Sequence, residues 1–156
     1  MKVAVAFDHR GVKLREAVRE AVTAAGHELL DLGVDTDAVR VDYPDRARDL
    51  GLAILRGQAE RGVLVCGSGV GASVAASKID GIRAAICHDG YSAHQGVEHD
   101  DMNVLCLGSE IIGESLAREL VTAYLGATFV GDGRYLERLQ KVHSMEQENW
   151  HGRITA

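Results

Sequence analysis

Cys66 is followed by a glycine at every second position, Gly67, Gly69 and Gly71, with Ser68 and Val70 between them. The apolar residues 63–65 before it read as a buried strand, and the small residues 72–77 after it as a helix. A strand, a glycine loop and a helix together aim bare backbone N–H groups at an anion. Glycine lets a ligand come close because no Cβ stands in the way. A cysteine at the mouth of such a loop sits where positive potential favours the thiolate, which places a base or nucleophile beside an anion cradle. The same residues also fit a plainer use, a small core hydrophobe at a tight strand–helix turn. The spacing is neither the dinucleotide fingerprint nor a P-loop, since it lacks the Lys-Ser/Thr ending.

Other groups could join this chemistry. Asp8-His9 closes the first apolar run, where it serves either a ligand or, more simply, as a helix cap with a surface histidine. His99 follows a polar helical stretch, where an imidazole can exchange protons near neutral pH or merely favour the helix dipole. Arg134 and Arg138 are one turn apart and share a helix face; on spacing alone a solvated charged face with Glu137 is the better explanation, and a phosphate grip the lesser one. His88, His94, His143 and His151 read as surface residues.

The elements that must position these groups alternate regularly. Strands are expected at 2–7, 28–32, 63–66, 82–87 and 103–107. Helices are expected at 11–25, 43–56, 72–78, 91–98, 111–125 and 134–147, with Pro44 in a first turn and Gly26 and Gly57 as stops. The pattern predicts a three-layer α/β/α, Rossmann-like fold around a five-stranded parallel sheet. A single domain spans 1–150, with a tail at 151–156. Ligands in such sheets bind beyond the carboxyl ends of the strands. Asp8-His9, the cysteine loop and His88-Asp89 all stand at that edge.

Composition narrows the partners. The 156-residue chain carries a net charge of −6, which argues against general affinity for nucleic acid or acidic membranes. An anionic ligand therefore needs local positive groups. Three cysteines without a CxxC pair or a zinc spacing predict reduced thiols, no metal and a cytoplasmic setting. No signal sequence is expected from the opening residues, and no apolar run reaches membrane length.

Taken together, Asp8-His9, Asp42-Tyr43-Pro44, Cys66-Gly-Ser-Gly-Val-Gly71, Ser77-Lys78 with Gly81-Ile-Arg83, His99-Asp-Asp-Met-Asn103 and Arg134 with Arg138 resemble ribose-5-phosphate isomerase B. That group belongs with the galactose-6-phosphate isomerase subunits. The resemblance runs from Met1 to about Glu148 with the motifs in order. It implies isomerisation of ribose 5-phosphate and ribulose 5-phosphate without metal or organic cofactor. It makes Cys66 the base, with the backbone of Gly67, Gly69, Val70 and Gly71 and the Ser68 hydroxyl around the oxyanion. His99 opens the sugar ring, Asp8 and Asp100 contact the sugar, and His9, Arg134 and Arg138 hold the phosphate. It also implies a homodimer or tetramer whose sites are shared between subunits.

Three positions depart from the pattern that the resemblance brings. Ser68 stands for threonine, Asp100 for asparagine, and Glu110 for an arginine that usually helps to bind phosphate. A different phosphosugar, such as allose or galactose 6-phosphate, is therefore an alternative. A phosphate- or nucleotide-binding module without catalysis is another, and a thiol redox protein fits less well because Cys66 has no resolving cysteine near it in sequence.

Overall fold

Valines and alanines alternate along residues 2–7, so successive side chains feed opposite faces of a sheet. In the computed structural model, which describes residues 1–150 and their side chains through Glu148, this is β1 (Lys2–Phe7). The expected tail at 151–156, with His151, lies outside the described residues. After β1 come a 3₁₀ turn (Gly11–Leu14), α1 (Arg15–Ala24), β2 (Glu28–Asp31), α2 (Tyr43–Leu55) and β3 (Arg61–Cys66). The chain continues with α3 (Val70–Ala76), β4 (Ala84–Ile86), α4 (Gly90–Asp100), β5 (Val104–Gly108), α5 (Glu114–Gly126) and α6 (Gly133–Trp150).

All five strands are parallel, in the order β2-β1-β3-β5-β4. The alternation of β1 sorts the two layers. Val3, Val5 and Phe7 join Val18, Val22, Leu105, Leu120, Val121 and Tyr124 in one core, on the side of α1, α4 and α5. Ala4 and Ala6 join Leu50, Leu64, Ala72, Ala76 and Cys106 in the other, beneath α2 and α3. Small residues on that second face let α2 and α3 lie close to the sheet. The expected α/β/α architecture is thus the observed one.

Several boundaries differ from expectation. α3 begins at Val70 rather than Ala72, because Gly69 adopts a left-handed φ of 82° and launches the helix from inside the glycine loop. α4 runs on through His99 to Asp100 and stops only where Asp101 turns left-handed at φ 51°. α5 begins at Glu114, since residues 109–113 form a turn whose N–H groups bind Gly108 and the cysteine loop. β4 is only three residues long; Ile82 packs into the second core without pairing. No helix of the described residues is long and apolar enough to cross a membrane.

Candidate active site

β1 is followed in sequence by β2 on one flank and then, across the sheet, by β3 on the other. The chain therefore leaves the carboxyl ends of β1 and β3 in opposite directions and opens a crevice between them, the usual ligand position in such sheets. Asp8 stands at the end of β1 and Cys66 at the end of β3. A cleft of about 560 Å³ lies there, lined by Asp8, His9, Cys66, Gly67, Ser68 and Gly71, together with Arg10 and residues 40–43.

Each side chain of the cleft is held by local geometry. The Cys66 Sγ accepts the Gly69 N–H at 3.2 Å and is buried at the base of the loop. The Ser68 hydroxyl accepts the Val70 N–H at 3.3 Å. The N–H groups of Ser68 and Gly71 have no acceptor among the described residues, so the loop presents unused donors beside the sulfur. Gly71 is required for a different reason than freedom of φ: a Cβ there would meet the Tyr43 ring at 2.7–2.9 Å. Tyr43, at the start of α2, thus roofs the loop.

Asp8 does both things open to it in the sequence. One carboxylate oxygen, Oδ1, accepts the N–H groups of Arg10 at 2.9 Å and Gly11 at 2.7 Å, which caps the following turn. Its Oδ2 accepts no hydrogen bond among the described residues, and the residue lines the cleft. His9 is tied to the loop opposite. Its Nδ1 lies 3.0 Å from the Val41 carbonyl, which calls for the proton on Nδ1 and leaves Nε2 as an acceptor. The Val41 N–H, 3.4 Å from the same nitrogen, would require the other tautomer and is the weaker contact.

The remaining predicted residues form a second group, and none of them lines the cysteine cleft. In the last turn of α4, His99 accepts the Gln95 amide at Nδ1 over 2.6 Å. Its ring stacks against Tyr135 of α6 with centroids 4.5 Å apart. Arg134 and Arg138 flank that tyrosine on α6. Asp100 faces another hollow, beside Lys78, Arg83 and Met102. The end of α4 is pinned from below: Arg83 Nε donates to the Asp101 carbonyl at 2.6 Å, and Asn103 bridges the Arg83 N–H and the Gly81 carbonyl, each at 2.8 Å. Gly81-Ile-Arg83 and Asn103 are thus the knot that fixes the histidine segment.

Glu110 does not line the cleft. It takes a hydrogen bond from Lys13 at 2.7 Å and lies 3.7 Å from Arg10 Nε, and these cations hold its carboxyl below the usual range. His88 is a correction. Far from being a surface residue, it is half-buried and its Nε2 accepts the Gly108 N–H at 3.0 Å. Desolvation lowers its pKa, with Asp89 partly opposing. Its place after an apolar strand, on the same edge as Asp8 and Cys66, was the available signal. Arg10, Arg40 and Tyr43 were missed as cleft residues: Arg10 follows Asp8-His9 on the expected edge without a spacing that marks it, and nothing linear brings the loop before α2 to the cysteine.

Comparison with known proteins gives this arrangement a context. The profile described as Ribose/Galactose Isomerase matches residues 3–142. Ribose-5-phosphate isomerase B of Escherichia coli is 40% identical, over 94% of this chain and 97% of that protein. A D-erythrulose-4-phosphate isomerase of Pectobacterium atrosepticum is 34% identical, over 97% and 99% respectively. Among solved structures, ribose-5-phosphate isomerase B of Clostridium thermocellum superposes with a TM-score of 0.90 at 36% identity, covering 96% of this chain and 99% of that one.

Proposed function

The chain belongs to the ribose/galactose isomerase family and is an aldose–ketose isomerase of sugar phosphates; from that premise we propose that it interconverts ribose 5-phosphate and ribulose 5-phosphate, with Cys66 as the base. The observation that carries this reading is the sulfur itself. It is the only thiol among the described residues that line the β1/β3 crevice, it receives an N–H from Gly69, and unused donors of Ser68 and Gly71 belong to the same loop.

Aldose–ketose isomerisation moves one proton from carbon 2 to carbon 1 and shifts the carbonyl the other way. The Cys66 thiolate takes the carbon-2 proton of the open-chain sugar, leaving a cis-enediolate and a thiol. The backbone donors of the glycine loop and the Ser68 hydroxyl face the charge that develops on oxygen. The thiol then returns its proton to carbon 1 while the hydroxyl proton passes from O2 to O1, so the base is regenerated, the carbonyl stands at carbon 2 and no electron leaves the substrate. Asp8 Oδ2 accepts from sugar hydroxyls, and His9 Nε2 faces the phosphate end.

His99, Asp100, Arg134 and Arg138 complete the site from a second copy of the chain. Two observations support this. They cluster at α4 and α6, outside the cleft of their own chain. Val70 and Val74, a turn apart on α3 beside the cleft, are 54% and 57% exposed, an apolar face suited to a symmetric contact. In the shared site His99 opens the furanose ring and the arginine pair grips phosphate. Three unpaired, buried cysteines fit a reducing cytosol.

A second substrate is favoured by a specific finding, since a relative named for D-erythrulose 4-phosphate matches over almost the whole chain. Turnover on a panel of D-erythrulose 4-phosphate, ribose 5-phosphate and allose 6-phosphate separates the readings. The five-carbon sugar should show the highest kcat/KM. A preference of tenfold or more for either alternative would replace ribose 5-phosphate as the substrate while leaving the chemistry in place.

A further inference from the structure

Arg10 is a cation on the rim of the cysteine cleft that the scheme above leaves unused. Its side chain lies across the α-carbon of Gly67, where an added Cβ would meet Nε, Cδ and Cζ at 3.1–3.2 Å. Its backbone is fixed at both ends: the N–H donates to Asp8 Oδ1 at 2.9 Å, and the carbonyl accepts the Ser109 hydroxyl at 2.8 Å. Among the described residues no acceptor takes a hydrogen bond from its guanidinium. Arg15, Arg61, Arg83 and Arg118, by contrast, each donate to a carboxylate or carbonyl.

The nearby carboxylate does not cancel this charge. Glu110 sits between two cations and gives its short contact to Lys13 at 2.7 Å, against 3.7 Å to Arg10. These three groups together carry one positive charge, beside a cleft that Asp8 and Asp42 also line. The cation that faces the cleft is the one whose donors remain open. A guanidinium offers paired donors matched to phosphate oxygens, and an anchored backbone reduces the ordering cost of using them. Arg40 lines the same cleft from the loop before α2, but its side chain makes no hydrogen bond or ion pair among the described residues.

We infer that Arg10 is a substrate-binding residue of this enzyme and holds the phosphate group through the donors it keeps open over Gly67. The inference deepens the isomerase reading and rests on it. It makes the cysteine-bearing chain contribute its own guanidinium to the anion, beside His9.

The test compares wild type, Arg10→Gln, Arg10→Lys and Arg118→Gln, the last removing the same charge outside the cleft. Steady-state kinetics on ribose 5-phosphate should show KM raised about tenfold in Arg10→Gln with kcat within about twofold, the size of losing one charge-assisted hydrogen bond. Arg10→Lys should recover part of the loss, and Arg118→Gln should match wild type. In parallel, calorimetric titration with inorganic phosphate should show at least fivefold weaker binding in Arg10→Gln. An unchanged phosphate affinity and KM in that variant would overturn the assignment. If wild type fails to turn over ribose 5-phosphate but the phosphate affinity still falls in Arg10→Gln, the substrate reading fails and the anion role of Arg10 stands. If wild type neither turns over the sugar nor binds phosphate, both fall.

Discussion

Three cysteines end or interrupt apolar runs in this chain, and their surroundings set them apart. Cys106 lies within β5 and is fully buried; desolvation drives its pKa far up, leaving it a small core hydrophobe. Cys87 is pushed up to about 11, first by desolvation and then by Asp89. Only Cys66 combines a backbone donor with a place on the cleft. The apolar runs alone do not separate the three, because a run does not tell which residue marks its carboxyl end at the crevice; only the glycines after Cys66 do so in the sequence. His88 shows the same limit from the other side. Burial holds its imidazole below the ordinary value, so below that value the unfolded chain binds more protons than the folded one. Stability must then decline as pH falls through the ordinary histidine range. His88→Gln should flatten this acid limb in thermal unfolding followed from about pH 8 to pH 5. An unchanged slope would remove His88 from the account of strand-end stability.

At the level of elements, the glycine loop was legible as a strand–helix connection but not in its construction. Its alternating glycines predicted close backbone approach, yet what approaches Gly71 is the Tyr43 ring of α2, and what lies over Gly67 is Arg10. Both come from segments distant in sequence. Gly71→Ala should therefore cost about 1–3 kcal/mol through overpacking, read as a lower urea midpoint. The control is Gly126→Ala on the exposed end of α5, where a Cβ meets nothing and a gain of about 0.4–1 kcal/mol is expected. Similar losses in the two would show that the ring does not set the loop. Helix ends were the least legible feature. α4 outruns its apolar pattern to carry His99 because Arg83, Asp101 and Asn103 tie its last turn, and such a knot has no periodicity to read.

For the whole molecule, alternating strands and helices gave the parallel sheet and its covered faces, since buried parallel strands and amphipathic helices leave distinct patterns. The strand order did not follow from pattern. β5 lies between β3 and β4, and the crevice at the cysteine rests on β1 lying beside β3, which no periodicity announces. The separation of His99, Arg134 and Arg138 from the cleft argues for a site completed by a second copy, which mixing can test. Cys66→Ala and His99→Asn, each inactive alone, should on unfolding and refolding together recover roughly a quarter of wild-type activity, the statistical yield of one intact site in half of the two-fold dimers. No recovery would place the whole site within one chain. The most direct test of the central claim is hydrogen exchange at carbon 2 of ribose 5-phosphate in deuterated water. Wild type should wash the carbon-2 hydrogen into solvent, and Cys66→Ser, folded and still binding phosphate, should slow this by about a thousandfold or more, on the order of losing the base. Exchange in Cys66→Ser at the wild-type rate would contradict a cysteine base.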